Sequence, residues 1–185
     1  GTKRIVLGEE EYVYGESQFF LTAVDVPVVA QIIEATREKP YLCFLLKLDL
    51  EMAADEDIAK IALTIKPDLV TLVPEKRQEL TTEGGLDIAG HRDRIQSIVT
   101  LLHNGGIPVS VFVEPDLNQI RAAHKVAADF VELHTGRYAN ATRSKEADAE
   151  FEAITHAAKL AYKLGIGVNA GHGLNYRNIK RLTHI

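Results

Sequence analysis

An α/β chain is predicted, with parallel strands and helices of a β/α barrel or doubly wound sheet over residues 50–185 and a short β-rich segment over residues 1–49. Three observations predict it. The hydrophobic period changes near residue 50 from strand-like runs to helix-like spacing; a helix-then-strand cycle then recurs four times; and a polar stretch follows each strand.

Before residue 50, short apolar runs are broken by turn residues: Arg4-Ile5-Val6-Leu7, then Gly8-Glu9-Glu10, then Tyr12-Val13-Tyr14, then Gly15-Glu16-Ser17. Phe19-Phe20-Leu21-Thr22, Pro27 to Ile33, a turn at Arg37-Glu38-Lys39-Pro40 and the run Leu42 to Leu50 continue the series. β-Branched and aromatic residues bounded by Gly and Pro read as antiparallel strands. After residue 50, Ile58, Ile61, Ala62 and Ile65 mark one helical face, opened by acidic residues Asp55 to Asp57 that suit a helix N-terminus. The strand Leu69–Val73 follows. The second cycle is a helix through Ile95, Ile98, Val99 and Leu102, stopped at Gly105-Gly106, and the strand Val109–Val113. A helix around Leu117, Ile120 and Ala123 leads to the strand Phe130–Leu133. One around Phe151, Ile154, Ala158 and Ala161 leads to Ile166–Asn169.

Composition narrows the function classes. The chain has 185 residues and a formal charge of −5, with basic residues interleaved among acidic ones. That distribution argues against a nucleic-acid surface, which needs clustered Lys and Arg. No apolar run reaches the roughly 20 residues of a membrane helix. The start of the chain shows no signal-peptide pattern, so a soluble protein in a cytoplasmic setting is expected. Cys43 lies within an apolar run and reads as a small core residue.

In β/α barrels the reactive groups sit at the carboxyl ends of the strands. The residues expected there are Glu51, the stretch Pro74 to Arg77 with Thr81 to Gly85, Glu114-Pro115-Asp116, Glu132 to Gly136, and Asn169 to Gly173. Strand alternation puts Lys47, Asp49 and Glu51 on one face and Leu46, Leu48 and Leu50 on the other. Glu51 then points inward, where partial burial would raise its pKa towards that of a general base; the other reading is a solvated strand-end glutamate. Glu132 and His134 share a face, with His134 read as structural and satisfied by a backbone carbonyl. His172, between Gly171 and Gly173, precedes an expected short helix whose N-terminus would suit phosphate; the other reading is an incidental histidine in a glycine turn. His91, His103, His124, His156 and His184 show no ligand spacing, and no metal site is expected.

Four strings are specific together: Leu-Glu-Met-Ala at 50–53, Leu-Val-Pro-Glu-Lys-Arg-Gln-Glu-Leu-Thr-Thr-Glu-Gly-Gly-Leu-Asp at 72–87, Glu-Leu-His-Thr-Gly at 132–136 and Val-Asn-Ala-Gly-His-Gly-Leu-Asn-Tyr at 168–176. They resemble the pyridoxine 5'-phosphate synthases. The resemblance covers residues 50–185 and implies part of a (β/α)8 TIM-type barrel. It implies an enzyme that condenses 1-deoxy-D-xylulose 5-phosphate with 3-amino-2-oxopropyl phosphate in vitamin B6 biosynthesis, with no redox cofactor or metal. Residue by residue, Glu51 matches the proton acceptor, His172 the proton donor and Glu132 a carboxylate that stabilises a transition state. Thr81 matches a contact to the sugar phosphate, and Gly173 one to the amino-ketone phosphate.

The family's opening Asn-x-Asp-His strand, its Arg- and His-rich loop and its final strand with a phosphate loop find no counterpart here, which implies barrel strands one, two and eight are missing. Residues 1–49 resemble instead part of the cupin-like N-terminal domain of AraC-type transcription regulators, with a joint near Leu48-Asp49-Leu50. Three readings follow: a B6-pathway synthase, a non-catalytic chimera of two incomplete units, and a small-molecule sensor module. The first two imply a homo-oligomer, because exposed strand edges and barrel faces need cover.

Overall fold

The computed structural model describes residues 2–7, 10–14, 28–34, 47–75 and 84–185. The chain forms two compact units, Gly1–Lys47 and Leu48–Ile185. In the first, β1 (Thr2–Leu7), β2 (Glu10–Tyr14) and β3 (Val28–Glu34) make an antiparallel sheet in the order β2-β1-β3. Three of the expected strands are therefore present. The runs Phe19–Thr22 and Leu42–Leu46, the turn at Arg37–Pro40 and Cys43 lie outside the described residues.

The second unit alternates strand and helix. Its strands are β4 (Asp49–Ala53), β5 (Leu69–Val73), β6 (Val109–Val113), β7 (Phe130–His134) and β8 (Gly167–Gly171). Its helices are α1 (Glu56–Ile65), α2 (Arg92–Asn104), α3 (Leu117–Lys125), α4 (Gly136–Asn140) and α5 (Ser144–Lys163), with a 3-10 helix over Ile179–His184. All five strands are parallel in the order β4-β5-β6-β7-β8. A doubly wound sheet reverses its order at a switch point. This one does not reverse, so it is built like the wall of a β/α barrel.

Strand alternation divides the wall into two faces. Met52, Leu72, Val111 and Val131 are register partners along the outer face, each fully or almost fully buried among the helices. Ile95, Ile98, Val99 and Leu102 of α2 and Ile154, Ala157 and Ala161 of α5 bury against that side, as their helical spacing predicts. The inner face carries Asp49, Glu51, Thr71, Ser110, Phe112, Glu132 and His134. Apolar outside and polar inside is the arrangement that places chemistry within a barrel mouth.

Four local expectations need correction. The apolar stretch ending at Leu50 was expected to close the antiparallel series, with Glu51 just beyond it. Instead β4 runs Asp49–Ala53 in parallel with β5, and Glu51 is its third residue, paired with Thr71. Helix α1 forms where expected, but its buried residues are Ala59 and Ala62, while Ile58, Ile61 and Ile65 are 38%, 56% and 51% exposed. Leu63 abuts the Gly105 turn after α2, so the isoleucines lie on the flank away from that helix, where β4 is the sheet edge. Sequence spacing marks a helix's apolar arc but cannot say which part of it finds a neighbour. Third, α4 was not anticipated. Fourth, no helix starts beside His172: turns follow it, and the 3-10 helix begins only at Ile179.

Capping explains where two helices begin. Asp55 accepts hydrogen bonds from the Asp57 and Ile58 amides at 2.9 and 3.1 Å, and Asp116 does the same for Asn118 and Gln119 at 2.8 and 3.1 Å. Each satisfies two amides that the first helical turn leaves open. Asp55→Ala is expected to cost about 0.5–2 kcal/mol, read as a lower denaturation midpoint with an unchanged m-value.

Candidate active site at the carboxyl ends of the strands

The inner face of β4, β7 and β8 brings three carboxylates and a histidine into one neighbourhood. Asp49 and Glu51 alternate inward along β4, and Asp49 accepts from the Thr71 hydroxyl at 3.1 Å. Burial pushes the Asp49 carboxyl upward; the Thr71 bond opposes this and nearby Glu51 adds to it. Glu132 sits on β7 opposite Asn169 of β8. Its carboxyl is also raised, first by burial and then by the negative charges of Glu51 and Asp49. Partial burial was expected for Glu51, which is instead exposed on the edge strand, while Glu132 lies between strands.

Gly171 is where Glu132 gains its space. A Cβ there would collide with the Glu132 Oε1. His172 follows at once with φ +76°, a left-handed backbone that costs a residue with a side chain about 1–2 kcal/mol. Four hydrogen bonds hold the turn. The Thr135 hydroxyl lies 2.7 Å from the carbonyl oxygens of both Gly171 and His172, the Thr135 amide donates to Gly171 at 2.9 Å, and Asn178 Nδ2 donates to the Gly173 carbonyl at 3.1 Å. Tyr138 of α4 donates its hydroxyl to the Asn178 carbonyl at 2.9 Å. Gly173 itself has φ +79°, and a Cβ on it would stand 2.7 Å from Ala139. The unforeseen helix α4 is thus what clamps the His172 loop.

The loops after β6 and β7 form a second cluster. Glu114 Oε1 accepts from His134 Nδ1 at 2.6 Å and from the Gly85 amide at 3.2 Å, and Arg137 approaches Oε2 at 3.8 Å. The His134 bond, more than anything else, holds the Glu114 carboxyl below the usual carboxylate range. His134 is therefore not satisfied by a backbone carbonyl, as expected, but by a carboxylate from the neighbouring strand. Its ring stands 4.8 Å from that of His172 and 5.1 Å from Phe112. Asp116, grouped with Glu114 in the sequence reading, is only a helix cap. Thr81 lies outside the described residues, as do residues 76–83 as a whole. Sequence reasoning underrated Glu114 and Asp49. Strand parity was the usable signal for both, since each shares a face with a candidate residue.

The model of the pyridoxal phosphate biosynthesis protein PdxJ matches residues 16–185. The chain belongs to the PdxJ family. The match begins ahead of the joint expected near Leu48-Asp49-Leu50 and so reaches into the first unit. Among curated relatives, the pyridoxine 5'-phosphate synthase of Geotalea daltonii is 56% identical over 137 residues, which are 74% of this chain and 57% of that protein. The synthases of Geobacter sulfurreducens and Pelobacter propionicus are 52% and 57% identical over the same shares. The chain therefore spans less than two thirds of the length of these PdxJ relatives. Among the described residues, no helix is long and apolar enough to cross a membrane.

A cavity of about 590 Å³ lies elsewhere, lined by Leu133, Ile154, Tyr162, Val168 and Leu182 among others. It sits on the outer, apolar flank of β8 and offers none of the acid–base groups described above.

Proposed function

We propose that this chain carries the acid–base wall of a pyridoxine 5'-phosphate synthase site, condensing 1-deoxy-D-xylulose 5-phosphate with 3-amino-2-oxopropyl phosphate. The observation that supports it most is the raised Glu132 carboxyl beside Glu51, one strand from the loop that presents His172. Ring closure needs enolisations and dehydrations, in which protons are taken from carbon and delivered to leaving hydroxyls. A glutamate raised towards neutrality can do either. Here Glu51, exposed at the mouth, is the proton acceptor, His172 the proton donor, and Glu132 the group that stabilises charge built up between them. Thr81 is assigned to the sugar phosphate and Gly173, with its bare backbone, to the phosphate of the amino-ketone. No redox cofactor or metal enters this scheme.

The reading carries with it a cytoplasmic setting and a homo-oligomer. Edge strands β4 and β8 and the exposed isoleucines of α1 support the latter. A second reading, a non-catalytic chimera with a cupin-like first segment, is favoured by the separate antiparallel sheet of the first unit. Calorimetric titration with pyridoxine 5'-phosphate separates the two. Saturable binding, weakened at least tenfold by His172→Ala, is the expected outcome; a cooperatively folded chain that does not bind points to the scaffold.

A further inference from the structure

His134 is only 2% exposed, and its bond to Glu114 decides where its proton sits. The Glu114 carboxyl is held in its ionised form, and an ionised carboxylate only accepts, so the hydrogen lies on His134 Nδ1. Nε2 of the neutral ring is then an acceptor. It is buried and has no hydrogen-bond partner among the described residues, which is uncommon for a polar atom out of reach of water. What stands beside it is His172. The two rings meet edge to face at 67°, and a Cβ built on Gly136 would lie 2.6 Å from His134 Nε2 and 3.2 Å from His172 Cδ2. The absent side chain of Gly136 is what lets the two imidazoles meet. A half-turn of an imidazole about its Cβ–Cγ bond exchanges Cδ2 with Nδ1, and hydrogen bonding alone decides between the two orientations. With that half-turn, His172 presents Nδ1–H where Cδ2 stands.

We propose that His134 is a positioning residue for His172: its free Nε2 accepts a hydrogen bond from His172 Nδ1–H, and Glu114 fixes the tautomer that makes this possible. This rests on the proton-donor role proposed above for His172. With Nδ1 engaged by His134, Nε2 is the ring nitrogen of His172 left to serve the substrate. As an imidazolium, His172 gives up the Nε2 proton and keeps the Nδ1 proton, so the neutral product is the tautomer that His134 holds. The charged groups around the pair are Glu114 from the loop after β6, Arg137 from α4 and Glu132 from β7.

Nitrogen-15 NMR of the histidine-labelled full chain, at a pH above the ordinary imidazole range, tests it. His172 is expected as the Nδ1–H tautomer. His134→Gln, whose amide oxygen reaches the Nε2 position, preserves that tautomer; His134→Phe, which keeps ring volume but no acceptor, shifts the population to Nε2–H. An Nε2–H tautomer in the unsubstituted chain overturns the proposal, as does a His172 signal unmoved in a folded His134→Phe protein. Should His134→Phe fail to fold, Glu114→Leu, which leaves no acceptor for His134 Nδ1–H, is read instead, with an unmoved His172 tautomer again overturning it. The readout is a ring tautomer and not turnover, so a chain without synthase activity would defeat the functional reading and leave this one standing.

Discussion

Glu132→Gln is expected to slow the condensation by about 10²- to 10³-fold, the usual contribution of a positioned group that stabilises transition-state charge, while raising the melting temperature near neutral pH. The two effects share one cause. Burial and the charges of Glu51 and Asp49 raise the Glu132 carboxyl, so between its ordinary value and the raised one the folded chain holds more protons than the unfolded chain. In that window stability falls as pH rises, and above the raised value the whole penalty is present. Glutamine has no charge to desolvate, so the substitution removes the penalty at neutral pH and has little effect in acid, where glutamic acid is neutral too. Melting curves at acid and neutral pH, with turnover measured on the same preparations, check both halves. A variant that loses activity and also stability at neutral pH would mean that Glu132 serves packing and not charge stabilisation.

Leu72→Ala is expected to destabilise the second unit by about 2–5 kcal/mol, from lost burial plus the cavity left behind. Leu72 is fully buried on the outer face of β5, between its register partners Met52 and Val111. A close-packed layer held at this spacing by backbone hydrogen bonds cannot collapse into the gap. Against a typical stability of about 5–15 kcal/mol, the loss is a large fraction of the total. A urea titration would read it as a lower midpoint at constant m-value; a loss below about 1 kcal/mol would mean that this layer is loosely packed.

Much of this architecture was legible in the residues. Val109–Val113 and Ile95, Ile98, Val99 and Leu102 announced a strand and a helix, because burial on one side imposes periods of two and of about 3.6 residues. Glu51, Glu132 and His172 could be nominated because parallel β/α units put chemistry at one end of the sheet. Which part of the α1 stripe would be covered was not legible: Ile58 and Ala62 look equivalent until a neighbour takes one flank and leaves the other.

By itself the sequence determined the order of strands and helices apart from α4, the polar and apolar faces of the strand at Glu51, and the family that residues 50–185 resemble. These are properties of local period and of strings of adjacent residues. Only the tertiary structure decided that burial raises the Glu132 and Asp49 carboxyls, that Glu114 and not a carbonyl accepts the His134 hydrogen bond, and that α4 clamps the His172 loop. Each depends on groups brought together from different strands and loops, and desolvation and charge act through space, not along the chain.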